Sequence, residues 1–461
     1  MLKGMSVAAT TLGCKVNQAE TDSMLDMLKA AGANIVEFDE KADIYIVNTC
    51  SVTNIADKKS RQMLHRARKM NPDGIVIAAG CYVQSAREIL EQDEAIDIVI
   101  SNNKKKSITE IVNDYINVRN NGKNAPGKDH EAMEYFVDIS RETEYEEMGG
   151  HVPVGHTRAY VKIQDGCNQF CSYCIIPYVR GRIRSRSQEA ILAEVSELAE
   201  AGIKEVVLTG IHISSYGKDK NNEGALIELI EAISKIKGIK RIRLGSLEPG
   251  IITEEFVERI SSNSKVCPHF HLSLQSGCDS VLKRMNRKYT CKQYFEKCDM
   301  LRKAYKSPAL TTDVIVGFPG ETEEEFAETV RYLTELNLYE MHIFKYSPRK
   351  GTVAAAMKEQ VAPEIKNERS DVLLKLAHDN KTAYEAQFEG CELEVLVEEV
   401  VKKDNKTYLR GHTERYMDIL IDVGDISMTC ELAAGRYFVT KFALWEESKR
   451  AMGVSMMTGA L

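Results

Sequence analysis

Short, almost continuously apolar runs recur along the chain, each followed by a stretch of helical character, and this alternation narrows the possible folds more than any other feature. A strand that is apolar on both faces belongs in a parallel sheet covered by helices on each side. In residues 1–117 the runs "SVAATTLG", "IYIVNT", "IVIAAG" and "IDIVIS" predict a small doubly wound α/β domain with a parallel sheet. Residues 118–152, with "RNNGKNAPGKDH", are poor in apolar side chains and read as a linker. The alternation restarts in residues 153–382 with "RAYVKIQ", "KEVVLTG", "KRIRLGS", "HFHLSLQ", "LTTDVIVG" and "YEMHIFKY". Six strand-helix units are fewer than a complete parallel barrel needs, so a partial (β/α)6 barrel with an open side, wide enough for a large substrate, is expected. Residues 383–447 change to alternating, turn-rich segments that predict a small all-β barrel, and 448–461 read as a patternless tail.

The chain holds twelve cysteines and has a formal charge of −7. That charge gives no general attraction to nucleic acid, so any polyanion must be met by local basic patches. The start, "MLKGMSVAATTLGCK", has no long apolar core, and no run approaches a membrane span. A reducing cytoplasm is the expected setting, where clustered cysteines are metal ligands or catalytic groups.

One cluster is "CNQFCSYC", with Cys167, Cys171 and Cys174 directly after the first strand of the second domain. That is the mouth where parallel barrels build their active sites. No fourth cysteine is near. A zinc deaminase would carry H-x-E upstream of its cysteines, whereas the match here, His412 to Glu414, lies downstream. A four-iron cluster on three thiolates leaves one iron open, and S-adenosylmethionine can occupy it. Cys14, Cys50 and Cys81 each follow a predicted strand of the first domain. The C-terminal ends of parallel strands share one edge, so a second three-thiolate site is implied, with three small core residues as the alternative.

The C-x3-C-x2-C triplet, with Tyr173 before its last cysteine, resembles the radical S-adenosylmethionine superfamily. "TLGCKVNQAETDSM", "VNTCSVT" and "AGCYVQ" closely match the N-terminal domain of methylthiotransferases. "LGCKVNQ" and "CNQFCSYCIIPYVRG" are most similar to the tRNA threonylcarbamoyladenosine branch of that family; "LGCPKN" would mark the ribosomal-protein branch and "GCQMN" the isopentenyladenosine branch. The C-terminal module is similar to the RNA-binding TRAM domain.

The resemblance implies two 4Fe-4S clusters, an auxiliary one on Cys14, Cys50 and Cys81 and a radical one on Cys167, Cys171 and Cys174. It implies two molecules of S-adenosylmethionine per turnover, one methylating sulfur at the auxiliary cluster and one cleaved to a 5'-deoxyadenosyl radical. The reaction would be methylthiolation of C2 of N6-threonylcarbamoyladenosine at position 37 of the tRNA anticodon loop. Its electrons would come from a donor such as flavodoxin or ferredoxin. Alternatives are isopentenyladenosine-37, a ribosomal-protein aspartate, or an RNA-binding protein with structural metal and no catalysis. No membrane partner is expected, and the sequence sets no oligomeric state.

Expected cofactor contacts are Tyr173 and the strand-end residues Thr209, Gly210, Ser246, Glu248, Gln275, Val316 and Phe318. For RNA, "YVRGRIRSRS" places Arg180, Arg182, Arg184 and Arg186 at alternating positions, which share one face if the segment is extended. Lys402, Lys403 and Tyr408 in the β module are further RNA candidates. The basic run "ADKKSRQMLHRARK" reads more simply as a solvated helix face.

Overall fold

The first sheet is parallel throughout and ordered β2-β1-β3-β4-β5, from strands β1 (Ser6–Thr11), β2 (Asn34–Ile35), β3 (Ile44–Thr49), β4 (Ile75–Gly80) and β5 (Ile98–Val99). It belongs to a computed structural model that describes residues 2–120, 135–150, 157–403, 406–422, 437–445 and 450–455. Helices α1 (Lys15–Ala30), α2 (Asn54–Met70), α3 (Cys81–Ser85), α4 (Arg87–Glu91) and α5 (Ile108–Asn120) connect and cover its strands. Every residue of β3 and β4 is buried. Ile44, Ile46 and Ile77 pack with Met24 and Leu28 of α1 on one face, and Tyr45, Val47 and Val76 pack with Leu64 of α2 on the other. Each such aliphatic side chain contributes about 1.5–3 kcal/mol on burial, which is why these strands read as unbroken apolar runs.

The second region begins with β6 (Arg158–Asp165) and continues through α6 (Ile176–Val179), β7 (Arg184–Ser185), α7 (Gln188–Glu200), β8 (Glu205–Gly210), α8 (Ala225–Ser234), β9 (Arg241–Leu244) and α9 (Glu254–Ser261). It goes on through β10 (His269–His271), α10 (Asp279–Arg284), α11 (Cys291–Ala304), β11 (Ala309–Val316), α12 (Glu323–Leu336), β12 (Glu340–Lys345) and α13 (Pro363–Ala386). Its strands form one sheet ordered β7-β6-β8-β9 and another ordered β10-β11-β12. Parallel bridges Ile242 to Val266 and Leu247 to Leu272 join the two. The arc of parallel strands keeps the predicted order; only β7, antiparallel to β6, is additional.

The last strands, β13 (Glu392–Lys403), β14 (Lys406–Thr413), β15 (Asp418–Asp422), β16 (Tyr437–Trp445) and β17 (Arg450–Ser455), close on one another in the order β13-β14-β15-β17-β16. β17 lies in the stretch read as a tail, and pairs with both β15 and β16. This module docks on the N-terminal ends of the arc. Arg241 Nη2 donates to the Glu394 carbonyl at 3.0 Å, Arg243 Nη1 to the Glu414 carbonyl at 2.9 Å, and Arg158 pairs with Glu398 at 3.0 Å.

Part of the expected linker is a strap instead. Tyr145 Oη donates to the Lys162 carbonyl at 3.0 Å, the Lys106 amide donates to Glu146 at 2.9 Å, and Glu147 pairs with Arg186. Its acidic residues are anchors, a role that low apolar content conceals. Residues 121–134 and 151–152 of that linker, and 448–449 and 456–461 of the tail, lie outside the described residues. Among the described residues no helix is long and apolar enough to cross a membrane.

Candidate active site at the seam of two cysteine triads

The strand order of the first sheet reverses between β1 and β3, and open α/β sheets bind ligands at the C-terminal ends of the strands flanking that reversal. Cys14 follows β1 as the N-cap of α1, Cys50 follows β3, and Cys81 opens α3 directly after β4. After Cys50 the chain turns at once into α2, where the Thr53 side chain accepts from the Ala56 amide. That cap satisfies one of the helix's free N–H groups and fixes the bend. Gly13 has φ of +100°, and a Cβ there would stand 2.7 Å from Cys50 Sγ, so only glycine lets this turn lie against the sulfur. Cys14 is exposed, whereas Cys50 and Cys81 are buried. Burial pushes the Cys50 thiol up to about 11.

The second triad occupies the loop after β6, pinned from several sides. The Cys167 amide donates to the Gly181 carbonyl at 3.0 Å, Ser172 Oγ to the Arg284 carbonyl at 2.8 Å, and Asn286 Nδ2 to the Phe170 carbonyl at 3.0 Å. Gly166, at φ of +72°, leads into it; a Cβ would fall 1.8 Å from the Arg182 carbonyl oxygen. Burial pushes Cys167 up to about 11 and Cys174 up to about 12. Metal binding must therefore displace protons from thiols that are neutral at physiological pH. Arg287 Nη1 donates to Cys171 Sγ at 3.2 Å, and the same guanidinium pairs with Glu248 at 2.7 Å. Burial would raise the Glu248 carboxyl, but His212 and Arg287 hold it below the usual carboxylate range. A cleft of about 460 Å³ opens beside this mouth, lined by Gln169, His212, Ser214, Glu248 and Tyr289 among others.

The two triads meet at one seam. Arg180 is fully buried there; its Nε donates to Cys81 Sγ at 3.2 Å, and its Nη2 reaches Glu20 at 3.0 Å. Its Nη1 pairs with Glu20 and reaches Asp165 at 3.1 Å. Lys162 joins Glu20 at 2.7 Å to Asp165 at 2.6 Å, and Lys105 also pairs with Glu20. Burial alone would push the Glu20 carboxyl up; Arg180, Lys105 and Lys162 together hold it well below the usual range. Cys81 itself packs against Ile175 and Val179, just beyond Cys174. A thiol of the first triad thus touches an arginine whose carboxylate partner, Asp165, immediately precedes Gly166 and Cys167.

The remaining expected residues divide. Thr209 is buried near the end of β8, and Gln275 is buried beyond β10, bridged to Val314 and at φ of +76°; Gly210 and Glu248 are half-buried and Ser246 is exposed. Phe318 packs in one apolar cluster with Tyr173 and Tyr346. Val316 ends β11 with its side chain packed in the helix-covered core.

The RNA-facing arginine row needs correction. Arg180, Arg184 and Arg186 are buried, Arg186 against Glu147 and Glu194, and only Arg182 is exposed, over the Phe170 ring. The segment is not extended: it passes through α6 and a positive φ at Gly181, so alternate positions do not share a face. In the β module Lys402 is exposed and Lys403 half-buried, but Tyr408 is buried and offers no ring for a base. Lys58, Lys59 and Arg61 of α2, read as a bland face, are exposed on the helix that starts beside Cys50. Glu20, Arg287 and His212 were missed, since no local spacing marks them; tertiary folding alone brings them to the cysteines.

The donors fit iron-sulfur clusters better than a single ion. Zinc with Zn–S of about 2.3 Å would draw its sulfurs to about 3.8 Å apart. Among the described residues the one set of three potential ligands whose atoms all lie within 4.8 Å of each other contains no cysteine. Neither cysteine triad is gathered that tightly, and each has one sulfur already accepting from a guanidinium.

Known proteins resemble the chain over most of its length. Residues 161–333 match the Radical SAM superfamily, and residues 6–101 match the family described as Uncharacterized protein family UPF0004. The chain is 39% identical over 416 residues to threonylcarbamoyladenosine tRNA methylthiotransferase MtaB of Bacillus subtilis (strain 168), covering 90% of each. It is 37% identical over 417 residues to the MtaB of Thermotoga maritima, covering 89% of this chain and 90% of that one. It is 35% identical over 441 residues to tRNA-2-methylthio-N(6)-dimethylallyladenosine synthase of Thermoanaerobacter pseudethanolicus, covering 94% of this chain and 90% of the other. Among solved structures, the radical S-adenosylmethionine methyltransferase TsrM from Kitasatospora setae shares the fold, with a TM-score of 0.54 at 15% identity over 75% of this chain and 77% of that one. Arc, mouth and cysteine loop are those of a radical S-adenosylmethionine enzyme. Within that class, the chain belongs to the methylthiotransferase family, whose chemistry calls for a 4Fe-4S cluster and S-adenosylmethionine.

Proposed function

We propose that this enzyme places a methylthio group on C2 of N6-threonylcarbamoyladenosine at position 37 of tRNA, using two 4Fe-4S clusters. The observation that carries the reading is the seam: Arg180 joins Cys81 of one triad to the Asp165 that leads into the other. Cys167, Cys171 and Cys174 would hold the cluster that meets S-adenosylmethionine, and Cys14, Cys50 and Cys81 the auxiliary one. Held there, cluster and S-adenosylmethionine would supply the one-electron radical chemistry that an aromatic C–H bond without useful acidity requires.

The chain's own residues position and insulate. Arg287 and Arg180 donate to one cysteine sulfur each, the kind of hydrogen bond that tunes a cluster's potential. Glu248, fixed by Arg287, and Thr209, Gly210, Ser246, Gln275, Phe318 and Tyr173 surround the position for S-adenosylmethionine. Lys58, Lys59, Arg61, Arg182 and Lys402 are exposed cations suited to RNA phosphates, and the TRAM-like module extends that surface. Flavodoxin or ferredoxin would supply electrons. Mass spectrometry of tRNA nucleosides from a strain lacking the protein will show loss of 2-methylthio-N6-threonylcarbamoyladenosine; an unchanged level would overturn the substrate assignment.

Replacing Cys14 or Cys81 with alanine should leave reductive cleavage of S-adenosylmethionine intact while abolishing the methylthio product. Paired assays of 5'-deoxyadenosine and modified RNA will read this. Full product formation by both variants would remove the auxiliary site from the mechanism.

A further inference from the structure

Three side chains converge on the side of the β10-β11-β12 sheet opposite its helix-packed core. The register brings them together: His271 of β10 pairs with Thr311 of β11, and Asp313 of β11 pairs with His342 of β12. Alternate positions on the same strands, such as Phe270, Val314 and Ile343, pack into the core. His271, Asp313 and His342 therefore project together from the face opposite that core. Their ligand atoms all lie within 4.8 Å of one another.

His271 Nε2 stands 3.3 Å from Asp313 Oδ2, and its Nδ1 is 2.9 Å from Thr311 Oγ1. The His271 and His342 rings stack with centroids 5.8 Å apart at 25°. An ordinary histidine-aspartate ion pair accounts for the first contact. It has no need of a second imidazole with its nitrogen in reach of both partners. Two imidazole nitrogens and one carboxylate oxygen gathered this closely are the donor set of a first-row divalent transition metal. The Thr311 hydroxyl on the far nitrogen of His271 is the kind of outer partner that fixes a ligating imidazole's tautomer and orientation. His342 is exposed and Asp313 half-buried, so solvent reaches the open positions.

We infer that His271, Asp313 and His342 form a site for one divalent transition-metal ion, distinct from the iron-sulfur clusters. Three protein ligands leave coordination positions for water or a substrate oxygen.

The test uses the cluster-loaded enzyme, dialysed anaerobically against zinc alone, desalted, and analysed for zinc and iron beside His342→Ala and Asp313→Asn. The wild type will retain about one zinc per chain, with nitrogen and oxygen neighbours at about 2.0–2.2 Å in zinc-edge X-ray absorption and no sulfur at about 2.3 Å. Both variants will bind zinc at least about tenfold more weakly with unchanged iron. His342 is exposed, so its replacement leaves the core untouched. Equal zinc retention by all three proteins, no retained zinc in the wild type, or sulfur ligation of the zinc would overturn the site. None of these readouts depends on the RNA reaction, so the site and the proposed function stand or fall separately.

Discussion

Cys171→Ala will lose 5'-deoxyadenosine formation by more than about 100-fold, since removing even an outer-shell partner of a metal ligand costs about 10–100-fold. Cys171 is buried on the loop at the mouth and accepts from Arg287. Without its sulfur the loop keeps two thiols, and the guanidinium loses an acceptor. Iron after anaerobic reconstitution should fall from about eight to about four per chain. Cys298→Ala is the control, because Cys298 is also buried but sits in the apolar core of the arc. It should retain both iron and cleavage. Wild-type cleavage by Cys171→Ala would disprove that this triplet holds the radical cluster.

Arg180→Met carries the largest expected effect on stability. The side chain is fully buried and is shared by Glu20, Asp165, Asn17 and Cys81. Removing one partner from a buried charge network costs about 3–5 kcal/mol, mostly because the opposing charges stay behind. A lowered urea midpoint, measured anaerobically, will show it, together with changed auxiliary-cluster EPR. Arg180→Lys should recover part of the stability but not the bond to Cys81, because lysine lacks the planar fork. The pH dependence has a definite sign. Glu20 and Asp165 are depressed carboxyls, each buried but held down by Arg180 and Lys162. Their stabilisation is fully present above the ordinary carboxylate range and is lost as the pH falls through their folded values. A wild-type midpoint in Arg180→Met would show that the seam contributes little.

How much of this could be read from residues alone depended on whether neighbours in sequence are neighbours in space. The cysteines were legible because each follows a strand end, and parallel strands align those ends by construction. The core of the first sheet was legible because burial on both faces leaves "IYIVNT" and "IVIAAG" with almost no polar break. Arg180 was misread because its partners Glu20 and Asn17 lie on a helix of the other domain, and no local pattern shows that a cation is buried. Tyr408 was misread because strand alternation does not show what covers the outer face: Leu409 takes the inward parity, yet Tyr408 on the opposite parity is buried as well. The acidic strap around Tyr145 looked like a linker because it is held by ion pairs and single hydrogen bonds rather than an apolar face.

The unequal burial of the first triad has a consequence for access. Cys50 and Cys81 are enclosed, whereas Cys14 lies on a cleft of about 380 Å³ bounded by Lys15, Arg158, Tyr160 and Glu398, so all three parts of the chain supply its walls. The approach to Cys14 is thus open from outside while the Arg180 seam stays closed, so reaching that sulfur needs no parting of the domains.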